Sequence, residues 1–490
     1  MRPSHISRVC CVTLGSAALL SAEASPPTQA YGQPLMRPAQ AAKHAVIIWA
    51  YPRRVVHWNG RGIAGMPILI KDNIETRDMP TTAGSLALAR NAPGRDAPLV
   101  ARLRKAGAVI LGKTNLTEWA NFRSTSSVPG WSGIGGQTLN AYDPARTPCG
   151  SSSGSAVAVA IGLAPAAIGT ETDGSIVCPA SVNGVVGFKP TVGLVSRTHV
   201  VPISHNFDTP GPIARSVTDA ARVLYAMAGS DPADPATLEA DRHKSDFVAR
   251  LDPNALHGSR IGVLRYLLPN FPAETRALFE QALQQMRAAG AVLVDIKTPP
   301  ADADRIGGWE GTVMLDDFKQ DLNTYLATTR PDQVPSRTLA DLIAFNRSEA
   351  RETRFFQQET FENAQKTAGI DDPAYRAAVV QIKRSAGPEG IDRMLSEQDV
   401  ALLIAPTTSR AGTLDRTDDD RMQGSAAQLP AVAGYPHLTV PMGRDRGMPV
   451  GLSFIGTKWD DSRVLSAGFA FEQLSNRRLA RGSPRQPTKS

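Results

Sequence analysis

The sequence predicts an α/β protein: one large domain with a helical insertion. Three observations lead there. Short apolar runs of strand length alternate with helical segments along most of the 490 residues. Several of those runs end in small polar residues, as buried strands do when they deliver side chains at a sheet edge. A long stretch without strand runs, about 302–398, reads as mostly helical, which marks an insertion.

The N-terminal region comes first. Residues 1–62 are mixed, contain proline and show no sustained periodicity. Arg2 and Arg8, the apolar stretch Val9–Leu20 and small residues around Ala22–Ser25 resemble a secretory signal over 1–25, which predicts export to the periplasm or beyond, the alternative being a cytoplasmic chain. Met66–Ile70 is a strand ending at Lys71-Asp72-Asn73. Ala108–Leu111 is another, ending at Gly112-Lys113-Thr114, after a helix face of Leu99, Val100 and Leu103. Ser155–Leu163 is a helix of small residues, and Ala164–Ile168 leads into Gly169–Ser175. Ser216 with Asp219 three positions on forms a helix start, and that helix runs to about Ala228. Ile261–Leu264, Ala291–Ile296 and Ala401–Ile404 are further strands, with helix Ala273–Ala289 between the first two. The insertion is interrupted near Pro331–Pro335 and Ala386–Gly390. Thr439–Met442 and Val450–Ile455 are the last strands, and Asp461–Leu474 the last helix.

Composition removes several function classes. A hydrophobic share of 42% with 20% charged residues supports a packed core. No apolar run reaches the roughly 18–20 residues that span a bilayer. The net charge of +7 sits at the ends: residues 1–62 carry +6 and residues 476–490 carry +5, so the body holds −4. That distribution argues against a nucleic-acid face. Cys10, Cys11, Cys149 and Cys178 form no metal-ligand spacing. Cys149 and Cys178 read as small buried thiols, with a bridge between them open if the chain is exported.

Two glycine/serine loops carry the chemistry: Cys149-Gly150-Ser151-Ser152-Ser153-Gly154-Ser155 and Gly169-Thr170-Glu171-Thr172-Asp173-Gly174-Ser175. Such residues let backbone approach a ligand closely. The second loop sets successive N–H groups, from Thr172, Asp173, Gly174 and Ser175, where they can converge on one oxygen as an oxyanion hole requires. A nucleophilic serine needs a base, and no histidine lies in either loop. Lys71, at the end of an apolar strand, is the candidate, because desolvation disfavours its ammonium. The bland alternative pairs Lys71 with Asp72 or another neighbouring acid. The loops are too closely flanked by apolar segments for a linker, and no Walker-type G-x-x-x-x-G-K-[ST] run occurs. A second enzyme reading takes Gly150–Gly154 as a G-x-S-x-G elbow with Ser152 as nucleophile and His199, His205, His243, His257 or His437 as base.

The order and spacing of Gly65-Met66-Pro67 with Lys71-Asp72-Asn73, the loop Gly150–Ser155, and Gly169–Ile176 resemble the amidase signature family. Gly187-Phe188-Lys189-Pro190-Thr191, Asp208-Thr209-Pro210-Gly211-Pro212 and Ala405-Pro406-Thr407 extend the likeness, which covers about Gly65 to Leu474. The resemblance implies a mixed central β-sheet covered by helices on both faces. It implies a Ser–Ser–Lys triad with Lys71 as base, Ser151 as a bridge held by a cis peptide and Ser175 as the acyl-forming nucleophile. It implies an oxyanion site at Thr172–Ser175, no metal and no cofactor. Thr172–Pro179, Glu118–Arg123, Gly130-Trp131-Ser132 and Leu339–Asn346 resemble the peptide amidases of bacteria within that family. The expected substrate is therefore a small peptide amide, for a monomer without nucleic-acid or membrane partners. Asp173 and the Trp119/Asn121 region are candidate substrate contacts, local packing being the alternative. Other small carboxamides, or a partner-dependent, amidotransferase-like or inactive subunit, are the competing functions. The domain plan is 1–25 signal, 26–62 divergent segment, 63–476 amidase signature domain and 477–490 basic tail. The helix such chains carry before the lysine strand is not recognisable in 26–62.

Overall fold

The computed structural model describes residues 43–50, 58–415 and 420–475. The expected signal over 1–25 and the basic tail over 477–490 lie outside those residues.

Thirteen strands occur in chain order among the described residues: β1 Ile47–Ala50, β2 Pro67–Lys71, β3 Val109–Thr114, β4 Trp131–Ser132, β5 Gly136–Gln137, β6 Ala166–Glu171, β7 Val186–Lys189, β8 Thr209–Ala214, β9 Arg260–Leu264, β10 Val292–Ile296, β11 Leu402–Pro406, β12 His437–Asp445 and β13 Met448–Ile455. β4 and β5 pair with each other; the other eleven form one sheet in the order β1-β3-β2-β6-β8-β7-β12-β13-β11-β9-β10. The sheet is mixed. β2 runs parallel to β3 and β6, and β9 parallel to β10 and β11, while the remaining pairs are antiparallel.

The apolar strand runs of the sequence have a direct cause. In β2, Ile68 and Ile70 join one core with helices Pro98–Lys105, Val217–Met227, Ala273–Ala288 and Asp461–Ser475, while Leu69 joins another with helix Ser153–Ala160. β11 divides the same way, Leu402 and Ile404 against Leu403 and Ala405. Side chains alternate between faces, and a sheet covered on both needs apolar residues at every position.

β4, β5 and β7 escaped the sequence reading, and so did two further strands whose sequence obscures them. β8, Thr-Pro-Gly-Pro-Ile-Ala, holds two prolines, which argue against a central strand. It lies there nonetheless, because β7 registers only with Ile213 and Ala214, beyond the prolines. β1 is the other. Part of the divergent N-terminal segment adds an edge strand antiparallel to β3, with Ile47 opposite Thr114. That segment also ties to the end of β3: the Val46 carbonyl accepts from Asn115 N–H at 2.8 Å.

The insertion is helical as expected, over Ile306–Ala327, Leu339–Ser348, Glu359–Lys366 and Pro373–Ala386. The interruption expected near Ala386–Gly390 is instead a π-helical segment, Gly387–Asp392, that carries the chain into helix Arg393–Glu397. Phe318, Leu322, Leu342 and Phe361 give the insertion its own core, against Leu88, Trp119 and Val201 of the main body.

Cys149 and Cys178 are not free thiols. They form a disulfide with their Cα atoms 6.0 Å apart, joining the first loop to helix Val177–Val182. Spacing could not reveal this, since the two residues are 29 positions apart and meet only through the fold. Replacing both by alanine should destabilise the chain by about 3–4 kcal/mol, the loop-entropy value for a ring of this size. Thermal melts should show a lower Tm for the variant, and reductant should lower the wild-type Tm while leaving the variant unmoved.

Candidate active site

β2 and β6 run side by side, Ile70 opposite Ile168, so Lys71 and Thr170 emerge at the same edge of the sheet. Helix Ser153–Ala160 crosses beneath that edge, built from Ser-Gly-Ser-Ala-Val-Ala-Val-Ala. The small residues are required by the close approach. A Cβ on Gly154 would lie 2.4 Å from the Asn115 carbonyl oxygen, so only glycine fits. Ser155 Oγ donates to the Ile168 carbonyl at 3.0 Å and lies 2.7 Å from Thr114 Oγ1, which ties the helix to β6 and β3.

Lys71 is fully buried. Its Nζ sits 2.7 Å from Ser151 Oγ, 2.8 Å from Thr170 Oγ1 and 3.2 Å from the Thr170 carbonyl. Among the described residues no carboxylate forms an ion pair with it. Asp72, the partner that the bland reading supplied, is held 3.1 Å from Lys113 Nζ and accepts from the Thr82 amide and hydroxyl. Burial pushes the Lys71 ammonium down to about 7, against the opposing pull of Asp208 and Glu171.

Ser151 comes after a cis peptide bond from Gly150, as the resemblance implied. Its neighbour Ser152 donates its N–H to the Ser175 carbonyl at 3.1 Å, which brings the two loops together. Gly174 turns the second loop with φ +73°, a conformation that favours glycine. Glu171 anchors the chain just beyond Ser175: its Oε2 accepts from the amides of Ile176 and Val177 at 2.7 and 3.0 Å. Thr172 Oγ1 donates to Asp208 at 2.5 Å, and Asp208 also accepts from the Ile203 and Ser204 amides. Burial raises Asp208 to about 6, with those hydrogen bonds working the other way.

The sequence named Lys71, Ser151 and Ser175 with the loop Thr172–Ser175, and the fold gathers them at one edge. It missed Thr170 and Asp208, which lie inside segments singled out for resemblance, where nothing local marks their contacts. Trp119 is core rather than a contact surface: it is 2% exposed and meets Phe361 edge-on at 5.7 Å. Trp119, Ala120 and Asn121 all have positive φ, and the buried pair Glu118–Arg123 at 2.8 Å flanks this turn.

The elbow reading with Ser152 as nucleophile does not fit. Ser152 Oγ is buried and donates to the Thr170 carbonyl at 3.1 Å. The five histidines are engaged elsewhere: His437 with Ser453, His243 stacked on Trp459, His205 with Asp321, His199 near Glu75 and His257 against Gly290. Among the described residues one group, His205, Asp317 and Asp321, brings three possible metal-ligand atoms within 4.8 Å. Asp317 already accepts from Ser204, Asn206 and Tyr375, so it acts as a hydrogen-bonded junction.

Known proteins share this arrangement of strands and loops. The family model described as Amidase matches residues 50–465. The chain belongs to the amidase family. It is a hydrolase acting on amide C–N bonds. This amidase is similar in structure to the native peptide amidase of Stenotrophomonas maltophilia, with TM-score 0.83 and 48% identity over 92% of this chain and 93% of that one. A peptide amidase bound to the competitive inhibitor chymostatin matches with TM-score 0.84 and 49% identity, covering 93% of this chain and 94% of the other. A probable amidase of Arabidopsis thaliana is 38% identical over 420 residues, 84% of this chain and 77% of the relative. Among the described residues no helix is long and apolar enough to cross a membrane.

Lys113 is what keeps Asp72 satisfied. Lys113→Met should therefore destabilise the amidase by about 3–5 kcal/mol, the usual effect of stranding one member of a buried ion pair. The midpoint of urea unfolding measures it, and Asp72→Asn in the same background should recover part of the loss.

Proposed function

We propose that this amidase releases ammonia from C-terminal peptide amides through an acyl-enzyme on Ser175, with Lys71 and Ser151 relaying the proton. The observation that carries the reading is the Lys71 amine, buried without a carboxylate partner among the described residues and 2.7 Å from Ser151 Oγ.

The contacts of that nitrogen fit its neutral form. An uncharged amine has two N–H groups and one lone pair. Thr170 Oγ1 and the Thr170 carbonyl accept the two N–H groups. The lone pair is left for the Ser151 hydroxyl, whose proton it can take. Ser151 in turn takes the proton of Ser175 as Ser175 Oγ attacks the amide carbonyl, forming the C–O bond. The developing oxyanion is stabilised by N–H groups of the segment Thr172, Asp173, Gly174 and Ser175. Collapse breaks the C–N bond, and the relayed proton leaves with the nitrogen as ammonia. Water then adds to the ester, its proton passing back along the relay, and the acid departs.

Support for a peptide amide comes from the relatives: the peptide amidase that matches in structure holds the competitive inhibitor chymostatin. The Cys149–Cys178 bridge supports export, because such bonds persist in oxidising compartments.

Ser175→Ala and Lys71→Ala should each lower ammonia release from an N-acetylated dipeptide amide by at least about 10³-fold, whereas Ser152→Ala should retain most activity. A fluorophosphonate adduct, located by peptide mass mapping, should sit on Ser175; an adduct on any other residue refutes the mechanism. Because the base must be unprotonated, kcat/KM should climb about tenfold per pH unit below 7 and level off above it. A profile that falls across that range would contradict Lys71 as base.

A further inference from the structure

A cavity of about 10 Å³ lies beside Thr170, and Asn73, Thr172, Val201, Ile203 and Asp208 share its wall. The chain from Val201 to Asp208 closes it. Val201 N–H donates to the Asn73 carbonyl at 2.7 Å, and Asp208 accepts from the Ile203 and Ser204 amides and from Thr172. Asn73 follows Lys71 by two positions and is 2% exposed. Its Nδ2 donates to Thr170 Oγ1 at 3.0 Å and to the Val201 carbonyl at 3.5 Å. The second contact fixes which way the amide points, since an oxygen there would face an oxygen. Asn73 Oδ1 is left enclosed, with no hydrogen-bond partner among the described residues.

Thr170 Oγ1 therefore meets two nitrogens, Asn73 Nδ2 at 3.0 Å and Lys71 Nζ at 2.8 Å. A hydroxyl offers one proton and two lone pairs. The amide nitrogen of Asn73 is a donor only, so it takes one lone pair. The contact with Lys71 can then run either way. If the amine donates, the Thr170 proton points into the cavity and the Lys71 lone pair stays with Ser151. If Thr170 donates, it occupies the lone pair that must take the Ser151 proton. On the relay reading, the first arrangement leaves Lys71 active and the second blocks it.

We propose that the cavity holds one water, bound between Asn73 Oδ1 and the Thr170 hydroxyl, and that this keeps the hydroxyl turned away from Lys71. The water accepts the Thr170 proton and donates one of its own to Asn73 Oδ1, so two buried groups are satisfied together. The volume is about what one water needs, and a polar wall is what separates cavities that hold water from those that stay dry. Asn73 is thus a positioning residue, acting on Lys71 through Thr170. This rests on the reading of Lys71 as base and adds to it the device that reserves its lone pair for Ser151.

The test is a double-mutant cycle on hydrolysis of an N-acetylated dipeptide amide. Asn73→Ala frees Thr170 to donate to Lys71, so kcat should fall about 10–100-fold with KM little changed. Thr170→Val removes one acceptor of the amine and should cost about three- to tenfold, the value of one neutral hydrogen bond. In the double variant no hydroxyl remains to block the amine, so it should be at least as active as Asn73→Ala alone. A hydrogen bond received by the neutral amine favours that form, so the midpoint of the rise in kcat/KM should lie at lower pH in Asn73→Ala than in the wild type. Loosening that let water reach Lys71 would move it the other way. Asp208 and Glu171, the charges that favour the ammonium, are intact in every variant. A high-resolution crystal structure of the wild-type enzyme should show a water within hydrogen-bond range of Asn73 Oδ1 and Thr170 Oγ1. No density there, losses that multiply in the double variant, or a midpoint unmoved or raised in Asn73→Ala would each overturn this inference alone. A wild-type rate that does not rise through about pH 7 would remove Lys71 as base, and the inference with it.

Discussion

The proposed chemistry depends on one buried amine held without a carboxylate partner among the described residues. Lys71 ends a strand whose neighbours, β3 and β6, leave it no access to water, and the fold denies it a counter-ion among the described residues. The adjacent acid would reverse this if it were free. Asp72 instead faces Lys113, brought alongside because β3 runs parallel to β2 and ends at the same edge. Two lysines and one aspartate at neighbouring strand ends therefore divide into an ion pair and a lysine without a carboxylate partner among the described residues. Thr170 completes the division by giving Lys71 acceptors that carry no full charge.

The second requirement is closeness. The Ser151 loop and the Ser175 loop must lie within hydrogen-bond range, and the chain achieves this with residues that have almost no side chain. Gly154 against Asn115 and Ser152 against Thr170 and Ser175 are contacts that larger residues would prevent. Helix Ser153–Ala160 owes its composition to this and not to helix propensity, in which serine and glycine are poor. The disulfide then ties the first loop to the helix that follows the second, and Glu171 holds the start of that helix by accepting from Ile176 and Val177. The insertion adds a wall rather than a separate body, since its core includes Leu88, Trp119 and Val201 from the main domain and its Glu310 reaches Gln428.

Legibility in the sequence divides along physical lines. Strand runs buried on both faces, such as β2, β6 and β11, were visible because burial on both sides forces uninterrupted apolar residues. The helix start at Ser216 was visible because its side chain accepts from the Asp219 amide, a contact three residues long. β8 was not, because its prolines are tolerated only by a register that the sequence does not state. β1 was not, because four residues at an edge carry little pattern and gain their place from β3. The turn Trp119–Asn121 was marked as a possible contact region, but its tryptophan proved to be core, packed on an insertion helix more than 200 positions away.

Chain order was enough for the α/β class, the two serine loops, the lysine at a strand tip and the absence of a histidine beside them. These are local facts: composition, spacing and periodicity within a few tens of residues. It took the folded chain to establish that Lys71 has no carboxylate ion-pair partner among the described residues while Lys113 has one, and that Cys149 is bonded to Cys178. The reason is the same each time. Ion pairing and disulfide pairing depend on which distant groups lie within a few ångströms, and a linear order of residues does not specify that distance.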